Sequence, residues 1–460
     1  MMYGVFEDGG PLLVPLLGAT GPPLASSSVV MTSPENKSLQ QAKNEIDLFY
    51  REGKWDDYKK ITNPYEYIFL SWNRRSSRSV AIRQPLSRSY FKMIELWKMM
   101  ELDELLEGLA ERDDGLITSH AAEGPGGFIE ACVERSLGNR WPFKSAYAIT
   151  LRSEAKNVPG WRKAASFLET HPQIVIHDGD DGTGNILLKT NQDAYISSIR
   201  VAHPAGTHLF TADGGFDFSG DYNAQEDSIL PLLVAESLLG LRSLTKGGAL
   251  VIKFFDTLEQ PTIDLIWLLS RAFRQWGIVK PRTSRAGNAE RYFIGKGFLG
   301  DCNDIVERLE AYQLAAEFKL PILRTPACTS WRRTLEKIAE IQMMIEHAEY
   351  NVIQETLNLI RHTEHAAIKL LVRSNVLRSI EWCEEHREPI ASSWKTDLDR
   401  GVQRETSDLL HILHPTNVVS YSGWQRSTST VSFAGFRTGG TSAPPATNPF
   451  MRVKAQESSH

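Results

Sequence analysis

Between residues 115 and 298 the chain alternates short apolar runs with stretches of helical periodicity, and this alternation limits what it can fold into. The runs are "GLITSHAA", "SAYAITL", "QIVIH", "HLFTAD", "GALVIKFF" and "RYFIGKGF". Each has the length of a strand. Between the fourth and fifth lies "SILPLLVAESLLGLRSL", whose apolar residues recur at helical spacing before "TKGG", which reads as a helix stop. Strands separated by helices pack as one sheet with helices on its faces, so the expected class is α/β.

The flanks read differently. Residues 39–110 are expected to be a helical N-terminal segment, residues 111–300 the sheet-bearing core, and residues 301–414 a helical C-terminal region. In the last, Leu335, Ile338, Ile341, Ile345, Ala348, Val352 and Leu357 recur at nearly helical steps, which predicts one long amphipathic helix. Residues 1–38 and 415–460 are expected to be disordered tails, the second rich in Ser, Thr, Gly and Pro. The apolar stretch near the N-terminus is broken by prolines and has no basic leader, so neither a signal peptide nor a membrane span is expected. A net charge of -5 gives no global attraction to nucleic acid, and any such contact has to come from a local patch. The four cysteines (Cys132, Cys302, Cys328, Cys383) are far apart and form no CxxC, which fits a reducing, intracellular compartment.

Polar residues in apolar surroundings mark the candidate site. "EGPGGFIEACV" (123–133) follows the first strand and opens a helix, where glycines let the backbone approach a ligand and the helix end offers unpaired N–H groups. It matches neither GxGxxG nor GxxxxGK[ST]. "HDGDDGTGNI" (177–186) follows the third strand. Counted as a calcium loop from Asp178, it would place Thr183 where glycine is needed and Lys189 where glutamate is needed, so calcium is not expected. Asp213 ends the fourth strand, followed by two glycines. Lys253 lies inside the fifth, between Ile252 and Phe254, where an unpaired charge would cost several kcal/mol. Glu290 stands at the start of the last strand and Lys92 on the helix ahead of the first. Each taken singly could be an ion pair of no functional consequence.

Taken in order, "SRxxFK … GPGG … ADGG … IK … SRxxNxERY" resembles the FtsJ/RrmJ-type 2'-O-ribose methyltransferases, most closely the cap-1 mRNA enzymes and their relatives in large DNA viruses. The likeness spans roughly residues 80–298 and draws also on "DGTGNI", "TADGGFDF" and "GDYNAQE". It implies a Rossmann-like methyltransferase sheet binding S-adenosylmethionine, and a catalytic tetrad of Lys92, Asp213, Lys253 and Glu290. Glu123, Gly124, Pro125, Gly126, Gly127 and Phe128, with Asp181, Asn185 and Asp213, would hold the donor. Lys253 would steer and help deprotonate the ribose hydroxyl, as an ammonium or as a neutral amine, tuned by the other three. At His120 the cap enzymes usually carry an acid, and the "EGPGG" form is closer to the viral relatives.

The implied substrate is capped RNA, methylated on its first transcribed nucleotide. For RNA contact the expected residues are Arg74, Arg75, Arg83 and Arg88 in a basic stretch before Lys92, with Ser284 and Arg285 near Glu290. The helical C-terminal region is where capping or transcription machinery would dock. The expected compartment is the cytoplasm or a virion for a viral enzyme, and the nucleus for a cellular one. His362 and His365 sit one turn apart with no third ligand, so no metal is expected. Two alternatives stand beside this reading. One is the same chemistry on ribosomal or transfer RNA, and the other is a catalytically weak RNA-binding or assembly protein on the same fold.

Overall fold

A computed structural model describes residues 3–8, 34–50, 54–70, 78–138, 141–153, 160–215, 225–323, 329–362 and 364–413. Among these, eight strands form one sheet: β1 (Tyr3–Asp8), β2 (Leu116–Ala121), β3 (Phe143–Ile149), β4 (Ile174–His177), β5 (Thr207–Ala212), β6 (Leu244–Phe254), β7 (Phe273–Lys280) and β8 (Arg291–Phe298). Their order is β1-β7-β8-β6-β5-β2-β3-β4. The stretch from β6 to β4 is parallel, while β8, β7 and β1 add on antiparallel.

All six apolar runs form strands. Two further strands have no such run: in "FRQWGIVK" the exposed Arg274 and Gln275 break the pattern, and pairing with neighbours on both sides makes β7 extended. The other, β1, falls where a disordered tail is expected, and pairs Tyr3–Asp8 with Lys280–Gln275. Helix α8 (Gln225–Ser243) ends before "TKGG", which already belongs to β6; Gly247 takes φ +90° there, beside a register shift against β5.

The helical flanks share the sheet's cores. On one face, α3 (Ser89–Met99), α4 (Leu102–Arg112) and α5 (Gly127–Leu137) bury Phe91, Trp97, Leu106 and Phe128. α1 (Pro34–Tyr50), α2 (Lys54–Thr62) and α12 (His365–Glu385) join this core, as do α13 (Ser392–Thr396) and α14 (Leu398–Leu413). On the other, α7 (Lys189–Ala202), α8, α9 (Gln260–Arg271) and α10 (Asn303–Ala315) bury Tyr195, Leu239, Leu268 and Leu309. The expected long helix is α11 (Thr329–Arg361), about 50 Å at 1.5 Å per residue. It places Ile338, Ile341 and Ile345 in the second core and Ile353, Leu357 and Ile360 in the first. The described residues up to 413 fall in one compact unit.

Candidate active site

The parallel strands β2, β3, β4, β5 and β6 end at one edge of the sheet. From that edge emerge the Gly-rich turn after β2, the 178–185 loop after β4 and Asp213 after β5. The antiparallel β8 starts where β6 ends, pairing Lys253 with Tyr292 and so bringing Glu290 to the same edge. The α3 helix crosses above with Lys92.

Four expected residues meet there as two linked pairs. Lys92 Nζ donates to Glu290 Oε2 at 2.8 Å, and Lys253 Nζ donates to the Asp213 carbonyl at 2.8 Å and lies 3.4 Å from Oδ1. Burial would push the Glu290 carboxyl up, but Lys92 and Lys253 outweigh it and hold it well below the usual carboxylate range. For Lys253 burial favours the neutral amine. Asp213, Glu290 and Glu236 outweigh this too and raise its proton affinity, so Lys253 rests as an ammonium.

Two residues in this network were not anticipated. Tyr292 donates from its hydroxyl to Asp213 Oδ1 at 2.7 Å, fixing the carboxylate toward Lys253. Lys280 donates to the Glu290 carbonyl (2.8 Å) and to Asn288 O and Oδ1 (2.7 and 2.8 Å), anchoring the loop that delivers Glu290. Burial brings Lys280 down to about 7. The sequence signal for Lys280 is weaker than that for Lys253: it follows only the short apolar stretch Ile278–Val279 before Pro281.

The C-terminal region acts directly on this edge. Arg291, next to Glu290, is fully buried, pairs with Asp256 at 3.2 Å and bonds to Gln342 of α11. Gln342 also accepts from Thr257 Oγ1 at 2.9 Å. Lys43 of α1 pairs with Glu349 of α11 at 3.1 Å.

In the Gly-rich turn, Gly126 takes φ +102°, and a Cβ on Gly124 would come within 2.8 Å of the Gly160 carbonyl. A Cβ on Gly127 would press into Ser87 and Ser89, so glycine here lets α5 and α3 meet at their starts. Pro125 completes the turn. Glu123 is 5% exposed, accepts a hydrogen bond from Thr211 Oγ1, and keeps Oε2 without a hydrogen-bond partner. His120 is fully buried, with Nδ1 2.7 Å from Thr211 Oγ1, Nε2 2.8 Å from Thr118 Oγ1, and Glu123 Oε2 at 3.3 Å.

Other expected contacts fall elsewhere. Phe128 is fully buried with its ring 5.9 Å from that of Tyr292, a core residue under the turn. Asp181 Oδ1 accepts from Thr183 N (2.9 Å) and Asn191 Nδ2 (2.9 Å), and Asn185 Oδ1 from Leu187 N (3.1 Å). Both side chains fold their own loop. The expected RNA arginines are engaged internally: Arg83 with Glu134 (2.7 Å) and Glu388 (3.5 Å), Arg88 with Glu66 (3.2 Å), and Arg285 with Glu66 (2.9 Å). Ser284 Oγ donates to Asn288 Oδ1 at 3.3 Å. Arg74 and Arg75 lie outside the described residues. No group of three or more metal-ligating side chains occurs among the described residues, and none of their helices is long and apolar enough to cross a membrane.

The Gly-rich turn and the buried Lys–Asp–Lys–Glu network thus lie at the same end of the sheet. Residues 85–298 match the FtsJ-like methyltransferase family, and this stretch of the chain is an FtsJ-like methyltransferase domain. It is similar to cap-specific mRNA (nucleoside-2'-O-)-methyltransferase 1 of Drosophila melanogaster, with 32% identity over 46% of this chain and 26% of that protein. The enzyme of the same name from Leishmania braziliensis is 33% identical over 45% of this chain and 50% of its own length. The probable methyltransferase EP424R of African swine fever virus is 28% identical over 57% of this chain and 58% of its own. The chain thus spans between a quarter and three-fifths of these relatives.

Proposed function

We propose that the protein transfers a methyl group from S-adenosylmethionine to a ribose 2'-hydroxyl of RNA, on the first transcribed nucleotide of a capped mRNA. The observation that carries this reading is the paired network Lys92–Glu290 and Lys253–Asp213 at the strand edge beside the Gly-rich turn. The residues present fit the donor. Glu123 offers a buried carboxyl whose Oε2 has only His120 Nδ1 nearby, at 3.3 Å, Asp213 adds a second acid, and the start of α5 presents backbone N–H groups. Two acids suit a ligand bearing an ammonium and a sulfonium.

S-adenosylmethionine, when bound, supplies an electrophilic methyl group. The chain's own residues orient the acceptor and manage its proton. Lys253 enters as an ammonium and donates to the ribose oxygen, placing it for in-line approach. Asp213, fixed by Tyr292, holds Lys253 in place from the other side. Lys92 clamps Glu290, and Glu290 acts on Lys253 through charge. Once Lys253 has lost its proton to solvent, its neutral amine takes the one from the hydroxyl. The capped-mRNA assignment is supported by the names of the relatives. Arg74 and Arg75 are the proposed phosphate contacts. The outward apolar residues Met343, Met344 and Leu370 of the C-terminal helices support docking of capping or transcription machinery there.

The test is transfer of labelled methyl to capped and uncapped short RNAs, with Lys253→Ala beside the wild type. Cap-dependent transfer that falls at least about 100-fold in the variant is the expected result. Equal transfer to both RNAs would move the substrate to another RNA class, and donor binding without transfer to either would remove the catalytic reading.

A further inference from the structure

A third carboxyl acts on Lys253 by charge and makes no hydrogen bond in the network above. Glu236 sits in α8 among Leu232, Leu233, Val234, Leu238 and Leu239, all buried. It is fully buried, and apart from the Gly214 backbone N–H, which approaches it outside ordinary hydrogen-bond geometry, neither carboxyl oxygen has a hydrogen-bond partner among the described residues. What it touches is the turn after β5. A Cβ on Gly214 would be driven into Glu236 Oε1, and a Cβ on Gly215 would come within 3.1 Å of Lys253 Nζ. The two glycines therefore form a thin wall, with the Glu236 carboxyl against one and the Lys253 ammonium against the next.

A carboxyl buried without a partner costs several kcal/mol, and a leucine would fill the same space in this apolar helix without that cost. Packing alone does not account for an acid here. The charged groups facing Glu236 are Lys253 from β6, Asp213 from the end of β5 and Glu123 from the turn after β2. Lys253 is the cation among them.

We propose that Glu236 is a positioning residue that sets the charge of Lys253 through the Gly214–Gly215 turn. Burial pushes the Glu236 carboxyl well above its usual range, with Lys253 pulling the other way and Asp213 and Glu123 adding to the rise. Its proton is thus retained above the usual carboxylate range. As pH rises and Glu236 ionises, its charge holds the proton on Lys253. Glu290, held well below the usual carboxylate range, acts on Lys253 as an anion throughout, whereas Glu236 acts only once it is ionised. The consequence for catalysis rests on the methyl-transfer reading of Lys253, but the electrostatic effect does not.

The experiment has two arms on the full chain, wild type and Glu236→Gln. In the first, the rate at which a small amine-selective acylating reagent modifies Lys253, whose side chain is 10% exposed, is followed by mass spectrometry from pH 6 to pH 11. The glutamine keeps the shape and removes the charge, so the midpoint is expected to move down by about one pH unit. In the second, the rising limb of methyl transfer with pH is expected to move down by the same amount. Glu236→Leu serves as a further neutral variant should the glutamine fold poorly. Superimposed acylation profiles would overturn the proposal, even if the variants melt earlier, because a purely structural role changes stability without moving the midpoint. A shifted acylation profile with unmoved or absent methyl transfer would uphold the action of Glu236 and overturn the assignment of Lys253 to the reaction.

Discussion

Replacing Lys92 with methionine tests whether Glu290 is held as described. The pair is 2.8 Å long, with side chains 13% and 9% exposed, so it belongs with buried ion pairs and not with surface ones. Removing one partner of such a pair costs about 3–5 kcal/mol; the residual exposure of both ends argues for the lower figure, about 3 kcal/mol. Glu290 Oε1 has no hydrogen bond of ordinary geometry, so the variant leaves the carboxyl to Lys253 and to the charges of Arg88, Lys280 and Arg285. For a unit of 414 residues with about 2.1 cal/mol/K of unfolding entropy per residue, the melting temperature should fall by roughly 3 °C at pH 7. The sign with pH follows from the lowered carboxyl. Its contribution is present above the unfolded value near 4.3 and is lost as pH falls toward the folded one. The gap between wild type and variant should therefore be full at pH 7 and shrink below about pH 4. Lys92→Met with Glu290→Gln should recover most of the loss, since no charge is then stranded. Denaturation of all three proteins at pH 7 and below about pH 4 decides it. A loss below about 1 kcal/mol at pH 7, or one that does not shrink in acid, would refute a buried, mutually dependent pair.

Gly214→Ala forces a methyl into the Glu236 carboxyl, with Ala122 and Leu232 at 3.0 Å on its other sides. A loss of about 1–3 kcal/mol in urea denaturation is expected, and a neutral result would mean the turn is not packed against Glu236. Arg88→Ala should lower stability without changing how RNA affinity responds to salt, because Arg88 pairs with Glu66. Arg74→Ala and Arg75→Ala should each reduce the slope of log affinity against log salt by about 0.7 on single-stranded RNA. The opposite assignment of the two effects would restore Arg88 to the RNA surface.

What was legible in the sequence was polarity out of place. Lys253 in an apolar strand, Asp213 at a strand end before two glycines, and a Gly-rich turn all announce themselves, because burial makes an unexplained charge costly. Glu236 sends the same signal from inside "LLVAESLLG" but is masked by the helical periodicity around it. The surroundings of the arginines were hidden for a different reason. A basic stretch shows its charge but not its partners, and Glu66 lies 219 residues from Arg285. The side chains of Asp181 and Asn185 are turn-formers as readily as ligand contacts, and in the 178–185 loop the turn takes them. The strand β7 exists through its neighbours, so no local pattern marks it.

The acid missing at position 120 is returned in space by position 123. His120 faces into the sheet between Thr118 and Thr211, and the Glu123 carboxyl folds back to meet both His120 and Thr211. Burial pushes that carboxyl up, with His120 and Thr211 opposing, so the pocket is built to take one acid. His120→Asp alone would place two carboxyls in one closed site, where one of them has to stay protonated. Donor affinity should then fall by at least about tenfold, the equivalent of 1.4 kcal/mol. The double variant His120→Asp, Glu123→Ala again has one carboxyl and should regain most of the affinity. Calorimetric titration with S-adenosylmethionine measures both. If the single variant binds as well as the double, the two positions do not share one acidic role, and His120 is simply a core histidine bonded to two threonines.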